Sequence, residues 1–227
     1  MKEEIRRITP KDPEWPTQLN LLQKAPLELF VRGRNLQEIA SESAEVVAIV
    51  GARNCTRYGE KIARDFATYF AALGWTVTSG GAFGIDYQAH RGALLIDGTS
   101  IAVLAGGLDN PYPRSHSPLF HEILERGALI SEQAPGLRAA KGHFLTRNRI
   151  IAALSRGTIV VEAAFKSGAI RTARDSAELF RPVLAIPGPI TSPQSCGTHT
   201  LISNRIAELV TSPLEAREII MRELSSG

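Results

Sequence analysis

The sequence predicts an α/β fold of the extended Rossmann-like kind, a doubly wound, mostly parallel sheet with helices on both faces. Three observations carry this. Short β-branched apolar runs recur along the chain, each closing on glycine and each followed by residues of helical period. Aromatic residues are 6% of the chain against 44% hydrophobic residues overall, so the core is built from Ile, Val, Leu and Ala, which suits helices on a parallel sheet better than a β-sandwich. With 227 residues the chain is long enough for one substantial domain.

Taken in order, residues 1–40 contain Pro10, Pro13, Pro16 and Pro26 and the short apolar piece LELFVRG. They lack the length for a domain, and the expectation is an N-terminal extension packed on a main body of residues 41–227. The polar segment SESAE leads into VVAIVG at 46–51, a buried parallel strand ending in glycine, with Arg53 just beyond its C-terminal end. Ile62, Ala63, Phe66, Tyr69, Phe70 and Leu73 recur at helical spacing, and Gly74 supplies the stop. A strand at about 75–79 enters a turn with Gly80, Gly81 and Gly84, then a helix ending near Asp97. The form repeats with a strand at 99–104, Gly106 and Gly107, the loop LDNPYPRSH, a helix over 117–126 and the strand ALIS. Residues 132–145 read as a loop into the helix TRNRIIAALS, whose first turn holds Arg147 and Asn148 and whose Ile150, Ile151 and Leu154 face the sheet. The strand GTIVVEA, a helix opened by Ser167 and Gly168, the strand RPVLAIPG, a short helix near 199–204, the strand AELV and a helix over about 213–224 complete the chain.

In such a sheet the strand ends carrying Gly51, Gly80, Gly106 and the Ser167-Gly168 pair share one edge, where helix N-termini attract anions. The charge distribution points to the same edge. Residues 138–174 hold eight basic residues, Arg138, Lys141, Arg147, Arg149, Arg156, Lys166, Arg171 and Arg174, against the single acid Glu162. The chain has 26 basic and 23 acidic residues, so this stretch is +7 while the remainder is −4. A basic block interleaved with the ring of Phe144 and backed by an apolar strand suits a polyanion, with cations for phosphates and a ring face for a base. The competing reading is a solvated helix face beside a buried strand.

Several chemistries are disfavoured. Cys55 and Cys196 form no CxxC or zinc pattern and read as free thiols in a reducing cytoplasm. The N-terminus has no apolar signal region and no window approaches a membrane span, so the expected location is cytoplasmic, with no membrane partner. GARNCTRYG is not a dinucleotide fingerprint, and no P-loop, GxSxG or HExxH motif occurs. His90, His116, His121, His143 and His199 are scattered and read as structural or surface residues. Asp86, Asp109, Glu132 and Glu162 lie near strand ends, but no nucleophile pairs with them; Asp86 reads as a helix cap and Glu162 as the partner of an arginine such as Arg149. The expectation is therefore no catalytic residue, no metal and no cofactor.

An ordered set of motifs resembles the DNA-processing protein A (DprA, or Smf) family. It comprises LELFVRG, VAIVGAR with Tyr58-Gly59, SGGAFGID with His90, AVLAGGLDNPYP, ISE, FLTRNRIIAALS, VVEA, SGAIRTAR, RPVLAIPG and GTHTLI, running from about residue 16 to 210. The resemblance implies a DNA-binding Rossmann domain over residues 41–227 that takes single-stranded DNA without sequence preference, protects it and loads a RecA-type recombinase in natural transformation or recombination. It implies DNA contacts from Arg53, Lys141, Phe144, Arg147, Asn148 and Arg149, with the Gly80-Gly81 and Ser167-Gly168 turns completing the groove. It also implies a homodimer through the C-terminal part of the domain. Three positions depart from the family pattern: Arg205-Ile206 stand where a glycine-containing pair is usual, His116 replaces a common asparagine, and Arg171 replaces an uncharged residue, adding a phosphate contact. Many relatives carry an N-terminal helical domain and a C-terminal winged-helix-like domain, for which this chain lacks room in full. The alternative reading is a Rossmann-like hydrolase of nucleotide N-glycosidic bonds using Asp86 or Glu162, although its PGGxGTxxE signature is missing; a protein scaffold would leave the charge excess unexplained.

Overall fold

All five residues of VVAIV at 46–50 are buried, as expected of a β-branched run covered on both faces, and they form the strand from which the sheet extends in both directions. The computed structural model describes residues 4–225. Its strands are β1 (Arg6–Ile8), β2 (Leu29–Gly33), β3 (Val46–Val50), β4 (Thr76–Ser79), β5 (Ser100–Leu104), β6 (Ala128–Ser131), β7 (Gly157–Val160), β8 (Val183–Ala185) and β9 (Glu208–Leu209). The helices are α1 (Leu36–Ile39), α2 (Arg57–Ala72), α3 (Ile85–Leu94), α4 (Ser117–Arg126), α5 (Lys141–Leu154), α6 (Gly168–Glu178), α7 (Cys196–Ser203) and α8 (Pro213–Ser225).

The strands form one sheet in the order β1-β2-β6-β5-β4-β3-β7-β8-β9. From β6 to β9 every pairing is parallel, and β2 and β1 add antiparallel at the β6 edge, with Val31 opposite Ile130 and Arg6 opposite Val31. Residues 4–40 thus supply two strands of the sheet, and Trp15 and Leu19 enter its core. The mostly parallel, doubly wound architecture matches the sequence expectation.

Alternation along β3 divides the interior. Val46, Ala48 and Val50 pack with Ile150, Ile151 and Leu154 of α5 and with Ala169 and Ala173 of α6. Val47 and Ile49 pack with Phe66 and Phe70 of α2, Ala89 and Ala93 of α3, and Ile220 of α8. Phe70 lies edge-on to Trp75 with centroids 5.1 Å apart, and burial of such a ring contributes roughly 2–3 kcal/mol. Helix starts follow the local chemistry: the Thr56 hydroxyl accepts the Gly59 amide at the head of α2, and the Ser167 hydroxyl accepts the Ala169 amide at the head of α6.

One boundary differs in a way that bears on function. The segment expected as loop through residue 145 is helical from Lys141, so Lys141 and Phe144 occupy the first turns of α5 and Arg147 and Asn148 lie deeper. The run KGHFLT contains no proline and has extended Ala140 before it, and it winds continuously into the apolar RNRIIAAL stretch.

Going from β3 through α2 to β4 moves one way across the sheet, whereas the crossover through α5 brings β7 to the opposite side of β3. The order reverses there, and the carboxyl ends of β3 and β7 open a crevice of the kind in which doubly wound sheets bind ligands.

Candidate nucleic-acid interface

The crevice encloses about 730 Å³. Its floor is the end of β3, Val50 to Asn54; one wall is α5, with Lys141, Phe144, Arg147 and Asn148; the other is the β7–α6 connection, with Ala164, Lys166, Ser167 and Gly168. Ala82, Asp86, Thr172 and Gln194 close it. Of the residues singled out by the sequence, Arg53, Lys141, Phe144, Arg147, Asn148, Ser167 and Gly168 meet here, and Gly80, Gly81, Arg149 and Arg171 are not among its lining residues.

The cations differ in what their charges already touch. The Arg53 guanidinium lies over the Phe144 ring, 4.7 Å from its centroid, and Tyr112 meets the same ring edge-on at 5.7 Å. Arg53, Lys141 and Lys166 are exposed, and among the described residues none of them has an ion pair or a side-chain hydrogen bond. Arg147 is buried; its guanidinium donates to the Val103 carbonyl and lies directly against Gly80, where a Cβ would collide with it. Burial lowers the Arg147 pKa to about 10, the Asp86 charge opposing and Arg53 assisting that shift, so it stays a cation at neutral pH. Arg147 thus gives the crevice wall a fixed, already engaged charge, and Asp86 is its counterion.

The Asp86 carboxylate accepts the Gly80 amide at 3.1 Å and the Ala82 amide at 3.4 Å. Burial raises its pKa, while Arg147 and those amides pull it down. The helix-cap reading of Asp86 is therefore corrected: Gly84 occupies the cap position of α3, and Asp86, in the first turn, reaches back to hold the Gly80-Gly81 turn. That turn faces inward, with the Gly80 N–H occupied by Asp86 and the Gly81 carbonyl bonded to His116 Nδ1 at 3.0 Å, so these groups are not offered to the crevice.

Glu162 also departs from expectation. Its carboxylate accepts the Thr56 amide at 2.8 Å and the Thr56 hydroxyl at 2.6 Å, and its backbone carbonyl accepts the Ala52 amide at 2.7 Å. The segment carrying Arg53 is thereby pinned on both sides. Arg149 pairs instead with Glu132 through two bonds of 2.8 Å and donates to the Lys24 carbonyl at 2.9 Å. Arg171 is bound to Asp175 one helical turn on, at 2.7 Å. Arg156, another cation of the basic block, donates to the carbonyls of Ser43 and Ala44 at 2.9 Å each. The partners of these three arginines lie in other segments or on the neighbouring turn, where charge counting along the chain does not see them.

Asn148 donates to the Gly168 carbonyl at 3.1 Å, joining the two walls. Asn54, Lys166, Thr172 and Gln194 also line the crevice, although the sequence does not single them out as site residues; Lys166 belongs to the basic block, and its place beside the Ser167-Gly168 turn is the available signal. Both cysteines are free thiols, and burial, with Glu60 and Glu162 nearby, pushes the Cys55 thiol up to about 11, away from nucleophilic use. Among the described residues no group of three or more metal-binding side chains gathers, and no helix is long and apolar enough to cross a membrane.

The sheet and its crevice define a Rossmann-like domain with unpaired cations and an aromatic ring at the switch point, an arrangement suited to an anionic ligand. The chain belongs to the DNA recombination-mediator protein A family, whose model matches residues 6–221. It is 46% identical over 218 residues to a putative DNA processing protein DprA of Mycobacterium tuberculosis, covering 91% of this chain and 55% of that protein. It spans about half the length of several such curated relatives. DNA processing protein A of Streptococcus pneumoniae superposes with a TM-score of 0.87 at 36% identity, over 96% of this chain and 75% of that one. The Helicobacter pylori protein, described for its single-stranded DNA binding mode, superposes with a TM-score of 0.83 at 28% identity, over 100% of this chain and 99% of its own.

Proposed function

We propose that the crevice binds single-stranded DNA without sequence preference, and that the chain is a non-catalytic recombination mediator that shields the strand and delivers it to a RecA-type recombinase, as in natural transformation. The observation that carries this reading is that Arg53, Lys141 and Lys166, with no ion pair among the described residues, share one crevice with the ring of Phe144, over which Arg53 lies. Cations without internal partners are available to phosphates, and a ring at the same opening offers a base a surface that does not depend on its identity. The described single-strand binding of the Helicobacter pylori protein supports the same ligand. We assign Ser167 and Gly168 a supporting role through the Gly168 amide and the positive end of the α6 dipole. Dimerisation through the C-terminal part of the domain completes the proposal.

A hydrolase reading would need Glu162 or Asp86 to exchange protons with a substrate. Glu162 is engaged by Thr56, and Asp86 by two backbone amides and the charge of Arg147, which favours the binding reading. The decisive experiment is titration of a labelled oligonucleotide at several salt concentrations. Wild-type affinity should fall with salt, and the Arg53→Ala/Lys141→Ala pair should weaken all sequences alike while reducing the log–log salt slope by about 1.4, at roughly 0.7 for each phosphate no longer engaged. An unchanged slope and affinity in the double variant would refute the proposal. Recombinase delivery is tested separately, by strand-exchange assays with the cognate recombinase.

A further inference from the structure

We infer that Phe165 is a second base-stacking platform, at the rim of the crevice beside Lys166; this rests on the single-strand reading above. Phe165 is 69% exposed and stands at the rim rather than among the lining residues, between Ala164 and Lys166, which both line the crevice. It immediately precedes Lys166 and the Ser167-Gly168 turn at the head of α6, so ring, ammonium and helix amides follow one another along four residues. Among the described residues no ring or cation packs on it. Phe144 is different, since Arg53 covers one of its faces and Tyr112 abuts its edge.

A single exposed ring is ordinary on a protein surface, and it is position that distinguishes Phe165. Of the other exposed phenylalanines, Phe83 packs edge-on to His116 at 4.6 Å, and Phe180, 97% exposed, lies beyond the C-terminal end of α6, away from the crevice. Phe165 alone is set between crevice-lining residues. The surrounding charge selects its occupant: with Lys166 adjacent and Arg53 and Lys141 at the same opening, the ligand must be anionic and still present a flat apolar face. A nucleobase of a single strand meets both requirements, because its phosphates reach the cations while the unpaired base lies on the ring. Bases of a duplex are already stacked and offer no such face. With Phe144 inside the crevice and Phe165 at its rim, a strand leaving past Lys166 is held by bases at two points.

The test uses the full chain carrying Phe165→Trp. The native Trp15 and Trp75 are only 2% and 1% exposed, so the exposed emission reports position 165. Oligothymidylate should quench that emission on binding, whereas a strand of the same length with abasic sites should bind without quenching. Phe165→Ala should weaken oligothymidylate binding by roughly five- to a hundredfold, as expected for loss of one base–aromatic stack, without changing the salt slope. It should leave the abasic strand unaffected, and Phe165→Tyr should restore the affinity. The inference is overturned if the tryptophan variant binds oligothymidylate without quenching, if Phe165→Ala binds as wild type, or if it weakens the normal and abasic strands equally, which would mark an apolar or structural role. Failure of the wild-type chain to bind either strand would instead remove the single-strand reading itself.

Discussion

Acidification should unfold this protein through His90, and the size of the effect follows from its surroundings. His90 on α3 is fully buried, with Nδ1 2.7 Å from the Ser100 hydroxyl. That hydroxyl gives its proton to the Val77 carbonyl at 3.0 Å, so it accepts from His90, which fixes the proton on Nδ1 and leaves Nε2 bare. Protonating Nε2 would place a cation in an apolar site, near the charge of Arg147 and beside His116, with no acceptor for the new N–H. Burial, then His116 and Arg147, hold the His90 pKa down at about 3. The unfolded chain, with an ordinary pKa near 6.5, therefore binds more protons between those values. Stability rises with pH across that window and is lost as pH falls from about 6.5 toward 3. Between pH 7 and pH 5 the linkage amounts to about 2 kcal/mol. Urea unfolding of wild type and His90→Gln at both pH values isolates the contribution: glutamine keeps an N–H for Ser100 but cannot charge, and other titrations, including that of His116, cancel in the difference. Wild type should lose about 2 kcal/mol more than the variant. Equal losses, or a His90 resonance titrating near 6.5 in the folded protein, would refute the reasoning.

Two further outcomes separate internal charges from available ones. Arg149→Ala should cost about 1–3 kcal/mol in urea unfolding because it strands Glu132 and releases the Lys24 carbonyl, yet leave the salt slope of DNA binding unchanged; Lys141→Ala should do the reverse. Gly59→Ala would thrust a methyl into the Glu162 carboxylate, so it and Glu162→Gln should both free the Thr56 segment, lowering stability by about 1–2 kcal/mol and weakening oligonucleotide binding through the misplaced Arg53.

How much of the molecule is legible in the chain alone depends on how local the cause is. The bounds of α4 and the run of β3 follow from apolar period and neighbouring turn residues, and both stand where the sequence places them. The resemblance of separated motifs is enough to identify the family, and the doubly wound order explains why those motifs converge on one edge. The strands β1 and β2 are harder to see: they are three and five residues long, are separated by prolines, and exist through antiparallel pairing that reaches β6, a hundred residues away. Within the site, charge density is visible but its use is not. Arg147, Arg149, Arg156 and Lys166 read alike as positive residues; Val103, Glu132 and the carbonyls of residues 43–44 engage the first three, and Lys166 is left for a ligand. Phe165 belongs to no motif, so the sequence points to Phe144 instead, and only the folded crevice, lined by both neighbours of Phe165, sets it apart from the other exposed rings.

The central place of β3 has a consequence for how the chain is made. Val47 pairs with Gly157, 110 positions later, so as the polypeptide emerges β3 can zip to β4 early but keeps a bare edge until β7 arrives. That edge belongs to an uncharged, β-branched segment, a template onto which a stray strand can add. The crossover α5 is what closes the gap, and the bond from the Ala52 amide to the Glu162 carbonyl at the crevice floor forms only when the second half has docked. The crevice is accordingly among the last features to be assembled, and its integrity reports that the long-range closure has taken place.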